Sequence, residues 1–331
     1  MWIRCRERLA VGGPVVEKPA FAGSARAGLV FAGSAVVRVA VLGPGGVGGL
    51  VAGALARAGT PVLIVARDST VEAISLRGLA VNSVLLGDFL ARPPAVARLA
   101  EPTDVLIVAT KAAGLSEALE RVAVAPKLVL PLLNGLDHVA LLRERFAPET
   151  VVAGTIRVEA DRPEPGVVVH TSKFLRVDMA SRYPGIGGRM AALAQTLSDA
   201  GIPARVGDSE PQVLWSKLVR LNALACTTSA YDKLLGEIRS TPQLRAELVG
   251  AIEEGCAVAR AEGASIPSGD PLGELTAAHD TLGSSMQRDI AAGRPPELDA
   301  IPGAVLRAAA RHDIVCPTIE RLVATIVGRV A

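Results

Sequence analysis

A glycine-rich turn near the start of the chain has the spacing of a phosphate-binding loop. Residues 36–42 form an apolar run typical of a buried strand, and residues 46–58 have the composition of a helix. Between them, Gly43, Gly45 and Gly48 follow the pattern GxGxxG. In this context the three glycines permit a tight turn, close approach of a pyrophosphate and close helix–strand packing. The residues predicted to hold a dinucleotide here are Gly43, Gly45, Gly46, Val47 and Gly48.

The residue after the second predicted strand distinguishes between dinucleotides. Residues 62–66 form that strand, and Arg67 follows it, 19 residues after Gly48. NAD sites usually carry an acidic residue there, whereas an arginine pairs bidentately with a 2′-phosphate. Asp68 could also reach a ribose, but neighbours along a strand point to opposite faces, so we expect only one of them to face the site. The pattern favours NADPH over NADH, with a solvated cation as the alternative for Arg67.

The elements that must position these residues alternate along the chain. Apolar strand-like runs recur at residues 104–110 and 128–134, and three further strands are predicted between residues 151 and 180. This alternation predicts an α/β fold with a doubly wound parallel sheet of the Rossmann type. Towards the C-terminus apolar residues recur at helical spacing, which predicts an all-helical domain. We therefore expect a Rossmann domain over residues 36–206 and a helical substrate and dimerisation domain over residues 207–331.

Residues 1–35 differ from the rest of the chain. They contain the pentapeptide FAGSA twice in a setting rich in glycine and alanine, without the continuous apolar core of a secretory signal. We interpret this segment as a disordered leader or an overlong start assignment. The four cysteines lack ligand spacing and are typical of a reducing compartment, so we expect a cytoplasmic protein. A homodimer is compatible with the helical domain, but the sequence does not establish it.

The composition argues against several classes of protein. The net charge is +2 and aromatic residues make up 3% of the chain, whereas a nucleic-acid binder needs a basic face and stacking aromatics. The four histidines and four cysteines form no metal-binding pattern. Residues 39–56 carry no charge but include six glycines and a proline, which favours a turn over a membrane span. We expect no metal, nucleic acid or membrane partner.

Several short motifs together resemble the ketopantoate reductase family, from about residue 37 to the C-terminus. These motifs are VLGPGGVGG (41–49), VLIVATKA (105–112), LLNGLDH (132–138), LWSKL (214–218), GEIR (236–239), SSMQRD (284–289) and GRPPELD (293–299). The resemblance implies an NADPH-dependent oxidoreductase whose partner is a small-molecule 2-oxo acid. The reaction implied is the reduction of 2-dehydropantoate to pantoate, in the biosynthesis of pantothenate and coenzyme A.

The resemblance also implies roles for individual residues. Lys217 would be the general acid that protonates the ketone oxygen, and Glu297 would contact substrate oxygens and help orient that lysine. Asn134 would lie near both the nicotinamide and the substrate. Lys111 would lie close to the cofactor and the substrate, and Ser285 would bind the substrate carboxylate or hydroxyl.

The residue types by themselves leave other roles open. Lys217 borders an apolar helix face and suits a solvated surface position, although an ammonium can stabilise and protonate the alkoxide that hydride addition builds. Asn134 begins an Asn-Gly turn signal, but like Lys111 it follows a predicted strand, where ligands collect in parallel sheets. Glu297 also suits the first turn of a helix. Burial and a nearby carboxylate shift the pKa of a lysine in opposite directions, so the sequence does not predict its sign.

Two departures from the family pattern affect the expected substrate. Many members carry asparagines one and two helical turns after the lysine, where this chain has Leu221 and Ala225. Asn222 is the nearest candidate for substrate binding, but it lies about 140° around the helix from the lysine. Ala300 and Pro302 stand where members often carry tyrosine and asparagine. The alternatives are therefore a more apolar 2-oxo or hydroxy acid substrate, or a non-catalytic NADP(H) sensor.

Overall fold

Five strands form a parallel sheet in the computed structural model, which describes residues 37–330. The predicted leader over residues 1–35 lies outside these residues. The elements of the sheet part are, in chain order, β1 (Val39–Leu42), α1 (Gly46–Arg57), β2 (Val62–Val65), α2 (Asp68–Arg77), β3 (Leu79–Ser83), β4 (Phe89–Ala91), β5 (Ala95–Val96), β6 (Val105–Val108), α3 (Leu115–Leu119), β7 (Leu128–Pro131) and α4 (His138–Arg145). The order in the sheet is β5-β2-β1-β6-β7, and all neighbours are parallel.

Strand β1 lies at the centre of this sheet and is buried on both faces. Val39 and Val41 belong to one apolar cluster, and Ala40 and Leu42 belong to another on the opposite face. Cover on both faces explains why the strands appear in the sequence as continuous apolar runs. The predicted Rossmann-type sheet is confirmed, with β1, β2, β6 and β7 at the expected places.

The strands that follow β7, together with β3 and β4, form two smaller sheets. The elements after α4 in this part are β8 (Ala153–Arg157), β9 (Ala160–Glu164), β10 (Val167–His170), β11 (Arg176–Ala180), α5 (Gly187–Asp199) and β12 (Ala204–Val206). The two orders are β4-β3-β10-β9 and β12-β11-β8, and the pairs β9–β10 and β8–β11 are antiparallel. Only Pro165 and Gly166 connect β9 to β10. So short a connection excludes a parallel crossover between β9 and β10. In the large parallel sheet, β7 is an edge strand.

The described chain from residue 210 onwards consists of helices and loops. Its elements are α6 (Glu210–Tyr231), α7 (Leu235–Ser240), α8 (Pro242–Ala261), α9 (Gly269–Ala277), α10 (Ser285–Ala291), a π-helical segment (Asp299–Gly303) that contains Pro302, α11 (Ala304–Arg311) and α12 (Pro317–Val330). Ser209 begins α6 by accepting a hydrogen bond from the Gln212 backbone N–H at 3.1 Å. The predicted helical C-terminal region is confirmed.

Helix α6 connects the two parts of the molecule. It packs on α8 and α12 within the helical part, and on β8 and the π-helical segment at the junction. Ser216, in the first half of α6, accepts a hydrogen bond from Arg157 of β8 and so lies where the two parts meet. Within residues 37–330, no helix combines the length and the apolar character that a membrane crossing requires. The homodimer and the cytoplasmic location stay predictions.

Candidate active site

The glycine-rich turn forms an open cradle at the start of α1. Gly43 has a φ of +88°, and a Cβ on Gly48 would lie 2.2 Å from the Gly43 carbonyl oxygen, so the turn itself requires both glycines. Within the described part of the chain, a Cβ on Gly45 would meet nothing within 4 Å. Helix α1 begins at Gly46 with no side-chain cap and no acidic residue in its first turn. Its first N–H groups are therefore available to an anion.

A buried hydroxyl adds to this cradle. Thr110 follows β6, and its methyl carbon lies 2.7 Å from the position of a Cβ on Gly43. The Thr110 Oγ1 atom is buried and has no hydrogen-bond partner within residues 37–330. Buried polar groups in folded proteins nearly always have a partner. An uncapped helix start, open space at Gly45 and an unpartnered hydroxyl fit a dinucleotide on this turn.

Arg67 and Asp68 follow β2, at the position where Rossmann-type proteins recognise the adenosine ribose of a dinucleotide. Strand β2 ends at Val65, Arg67 is the N-cap of α2, and Asp68 is the first residue of that helix. The expectation that strand alternation separates the two side chains is therefore wrong, because neither residue is in a strand. Arg67 is exposed at the carboxyl end of the sheet. The predicted role of Arg67 in binding the 2′-phosphate stays a prediction.

An asparagine joins the two predicted catalytic residues. Lys217 Nζ donates a hydrogen bond to Asn134 Oδ1 at 2.9 Å, and Asn134 Nδ2 donates one to Glu297 Oε2 at 3.1 Å. Since an ammonium only donates and a carboxylate only accepts, a single orientation of the amide satisfies both. Glu297 therefore acts on Lys217 through Asn134, which the resemblance did not imply. We call these three residues the Lys–Asn–Glu chain.

The turn at Gly135 makes this arrangement sterically feasible. Gly135 has a φ of +87°, and a Cβ there would lie 2.1 Å from the backbone oxygen of Ala300. Ala300 is in the π-helical segment, three residues after Glu297. The turn after β7 thus presses directly against the backbone that carries Glu297. The Asn-Gly pair in the sequence marks a close contact as well as a turn.

The surroundings of Lys217 change its acidity. Burial lowers the pKa of Lys217 to about 8, the charges of Arg220 and Arg157 also lower it, and Glu297 raises it. Burial therefore outweighs the carboxylate, which the sequence alone did not settle. A lysine with this pKa is mostly protonated at neutral pH and releases its proton more readily than an ordinary lysine. That combination suits a general acid.

Lys111 and Ser285 lie on the two sides of the junction. Lys111 Nζ contacts Asp289 Oδ2 at 2.6 Å, which joins the loop after β6 to α10. Asp289 also pairs with Arg294 at 2.8 Å and is almost fully buried. Ser285 is the half-buried first residue of α10, whereas its neighbour Ser284 caps the helix. The predicted cofactor role of Lys111 and the substrate role of Ser285 stay predictions.

Asn222 lies apart from the Lys–Asn–Glu chain. It is fully buried, and its Oδ1 accepts a hydrogen bond from Cys226 Sγ at 3.4 Å. Leu221, one turn after the lysine, is half-buried, and Ala225 is fully buried. The structure gives no contact that supports the predicted substrate-binding role of Asn222, which stays a prediction.

Three residues near the Lys–Asn–Glu chain were not predicted from the sequence. His138 begins α4 and is 5% exposed; burial and the charge of Lys217 lower its pKa to about 4, so its ring is neutral at physiological pH. Arg157 ends β8 and donates a hydrogen bond to the Ser216 carbonyl oxygen at 3.0 Å. Arg220 lies one helical turn after Lys217. Isolated histidines and arginines carry no local signal, so only the folded structure reveals that these three lie near Lys217.

A Rossmann-type sheet with a glycine cradle, next to a helical part that supplies a lysine of lowered pKa, defines a nicotinamide-dependent oxidoreductase. A family model described as Ketopantoate reductase PanE/ApbA matches residues 39–180, and its C-terminal counterpart matches residues 211–329. The chain belongs to the ketopantoate reductase family. The predicted family, enzyme class and nicotinamide cofactor are thereby confirmed.

Individual relatives agree with this assignment. The 2-dehydropantoate 2-reductase of Halobacterium salinarum is 31% identical over 295 residues, which cover 86% of this chain and 96% of the relative. A crystal structure of 2-dehydropantoate 2-reductase from Geobacter metallireducens GS-15 has a TM-score of 0.81 at 27% identity, covering 88% of this chain and 99% of its own. The ternary structure of D-mandelate dehydrogenase with NADH and anilino(oxo)acetate has a TM-score of 0.81 at 22% identity, covering 88% of this chain and 98% of its own. At this identity the similarity is evidence for the fold alone.

Proposed function

We propose that this protein reduces the keto group of a 2-oxo acid with NADPH, and that its substrate is 2-dehydropantoate. The observation that carries the proposal is the Lys–Asn–Glu chain, which holds a lysine of lowered pKa at the junction of the two parts. Family membership supports the same reaction, and the relative from Halobacterium salinarum bears that activity in its name. The product would be pantoate.

The three residues of the Lys–Asn–Glu chain have complementary tasks in this reaction. NADPH, when bound, supplies the hydride to the keto carbon. The keto oxygen then gains negative charge, which the Lys217 ammonium stabilises and neutralises by giving up a proton. Asn134 Oδ1 accepts one of the three ammonium hydrogens and so holds Nζ in place. Glu297 holds the other end of Asn134 and has a second carboxylate oxygen available for a substrate hydroxyl.

A more apolar 2-oxo acid is the second candidate substrate. The resemblance leads us to expect polar side chains at four positions that are apolar here, namely Leu221, Ala225, Ala300 and Pro302. The last three are buried. A site without such groups discriminates less strongly between a substrate hydroxyl and its absence. The sensor alternative has less support, because it assigns no task to the Lys–Asn–Glu chain.

Activity with a panel of 2-oxo acids tests the proposal. The loss of nicotinamide absorbance measures the oxidation of NADPH. We expect a higher kcat/KM for 2-dehydropantoate than for phenylglyoxylate. The reverse order would favour the apolar substrate. Tight NADPH binding without turnover of any 2-oxo acid would support the sensor and contradict the proposed reaction.

The preference for NADPH depends on Arg67. We expect Arg67→Ala to raise the Kd for NADPH by about 10- to 100-fold, since charge-assisted hydrogen bonds to the 2′-phosphate contribute about 1.5–3 kcal/mol. The Kd for NADH should change less than about threefold, because NADH lacks that phosphate. Titration of both dinucleotides measures this, with Arg245→Ala, an exposed arginine of α8, as the matched control. Equal weakening of NADPH and NADH would show that Arg67 does not bind the 2′-phosphate.

A further inference from the structure

Two arginines beside Lys217 share a single carboxylate. Arg157 ends β8, and Arg220 lies three residues after Lys217 on α6, so Lys217 and Arg220 are neighbours on the helix surface. The arginine side chains are 14% and 15% exposed. Both contact the same atom, Glu274 Oε2 of α9, at 2.7 Å from Arg157 Nη1 and 3.1 Å from Arg220 Nε. We call Arg157 and Arg220 the arginine pair.

The arginine pair has more hydrogen-bond donors than the protein satisfies. A guanidinium carries five N–H donors. Arg157 donates to Glu274 and to the Ser216 carbonyl oxygen. The Nε atoms of Arg157 and Arg220 are buried and have no hydrogen-bond partner in the described part of the chain, and the contact of Arg220 with Glu274 lacks hydrogen-bond geometry. Buried donors without partners are rare, and a ligand with several acceptor oxygens would satisfy them.

The position of the pair relates it to the reacting group. The carbonyl that holds Arg157 belongs to Ser216, the residue before Lys217. The charges of both arginines reach Lys217 and lower its pKa. Glu274 is 47% exposed, so water competes for its carboxylate and its hold on the pair is weak. An incoming anion would therefore displace a partly solvated partner.

We propose that Arg157 and Arg220 bind the carboxylate of the 2-oxo acid substrate, which replaces Glu274 as their partner. The inference rests on the proposed function. In a 2-oxo acid the carboxylate is bonded directly to the keto carbon, so guanidinium groups that hold it also fix the keto oxygen near a neighbouring cation, Lys217. Arginine matches the two carboxylate oxygens bidentately. Ser285 is then left to bind a hydroxyl group of the substrate.

Arg220→Gln separates recognition of the carboxylate from catalysis. With 2-dehydropantoate at saturating NADPH, we expect KM to rise by about 10- to 100-fold, while kcat changes less. With the lactone of 2-dehydropantoate, which has no carboxylate, KM should change less than about threefold. Phenylglyoxylate and its methyl ester provide a second pair of charged and uncharged substrates. Equal changes for the charged and uncharged members would mean a structural role and would overturn the inference.

Glu274→Gln tests the same subsite with the opposite sign. It removes the competing charge, so KM for 2-dehydropantoate should fall severalfold while KM for the lactone stays unchanged. If Arg220→Gln does not fold, Glu274→Gln tests the carboxylate subsite by itself. Arg321→Gln is the matched control, because Arg321 pairs with Glu247 between α12 and α8, outside the site, and both KM values should stay the same.

The two proposals fail in different ways. If the wild-type protein reduces no 2-oxo acid, the proposed function and the subsite are both overturned. If it reduces 2-dehydropantoate but Arg220→Gln and Glu274→Gln leave KM unchanged, only the carboxylate subsite is overturned.

Discussion

Lys217→Ala is expected to lower kcat for 2-oxo acid reduction by about 10²- to 10⁴-fold, the usual contribution of a positioned general acid. Alanine removes the ammonium that stabilises and protonates the developing oxyanion, while the glycine cradle and Arg67 are untouched. The Kd for NADPH should therefore stay within about threefold of the wild-type value. Lys233→Ala, which removes an exposed lysine paired with Glu237, is the control and should retain full activity. Undiminished turnover by Lys217→Ala would contradict its role as the acid.

The pH dependence gives a second measure of the same residue. Only the ammonium form can donate a proton, and the pKa of Lys217 is about 8, so kcat for reduction should be constant below that pH and fall above it. Oxidation of the hydroxy acid needs the neutral amine and should rise over the same range. Lys217→Arg keeps the charge, but a guanidinium does not release its proton in this range, so its low kcat should show no fall near pH 8. A fall that persists in Lys217→Arg would assign it to another group.

The second large effect is expected at the glycine turn. Gly45→Ala should raise the Kd for NADPH by about 10- to 100-fold with little change in the free energy of unfolding. Its Cβ would meet no atom of residues 37–330 within 4 Å and would enter the space that we propose for the pyrophosphate. Gly48→Ala should destabilise the protein itself by about 1–3 kcal/mol, since its Cβ would lie 2.2 Å from a backbone oxygen. Dinucleotide titration and urea unfolding of the free protein measure the two effects separately.

Gly328→Ala in α12 is the control for NADPH binding, because its Cβ also meets nothing within 4 Å among the described residues and α12 is not part of the glycine turn. It should leave NADPH binding unchanged. If Gly45→Ala destabilises the free protein as much as Gly48→Ala does, the space at Gly45 belongs to the fold rather than to the cofactor.

The strands and the helix around the glycine turn could be predicted from the sequence because their signals are local. The strand, the glycine turn, the helix and Arg67 lie within about thirty residues, and their order alone defines the geometry. Strand alternation does not apply to Arg67 and Asp68 for an equally local reason, since the strand ends at Val65 and a helix begins at Asp68.

The substrate half depends on contacts that no local pattern reports. Asn134 lies 83 residues from Lys217 and 163 from Glu297 along the chain, yet it bonds to both. The resemblance supplied all three residues, but only the hydrogen bonds of the folded chain show that the Asn134 amide lies between the lysine and the carboxylate. The arginine pair was missed for the same reason, because β8 and α6 meet only in the folded chain.

The short strands outside the large sheet show a different limit. Strand β9 has the sequence ADRPE and is mostly exposed or half-buried, so it lacks the apolar run by which β1 and β6 were found. Its pairing with β10 follows from the two-residue connection between them rather than from its own side chains.

The Lys–Asn–Glu chain crosses the junction twice, since the helical part contributes Lys217 and Glu297 and the sheet part contributes Asn134. A chimera that combined the sheet part of one family member with the helical part of another would inherit its cofactor preference from the first and its proton donor from the second. The donor would be correctly placed only if the contact between Gly135 and the Ala300 backbone were preserved. In the design of such chimeras, the residues of this contact should be kept compatible before any others.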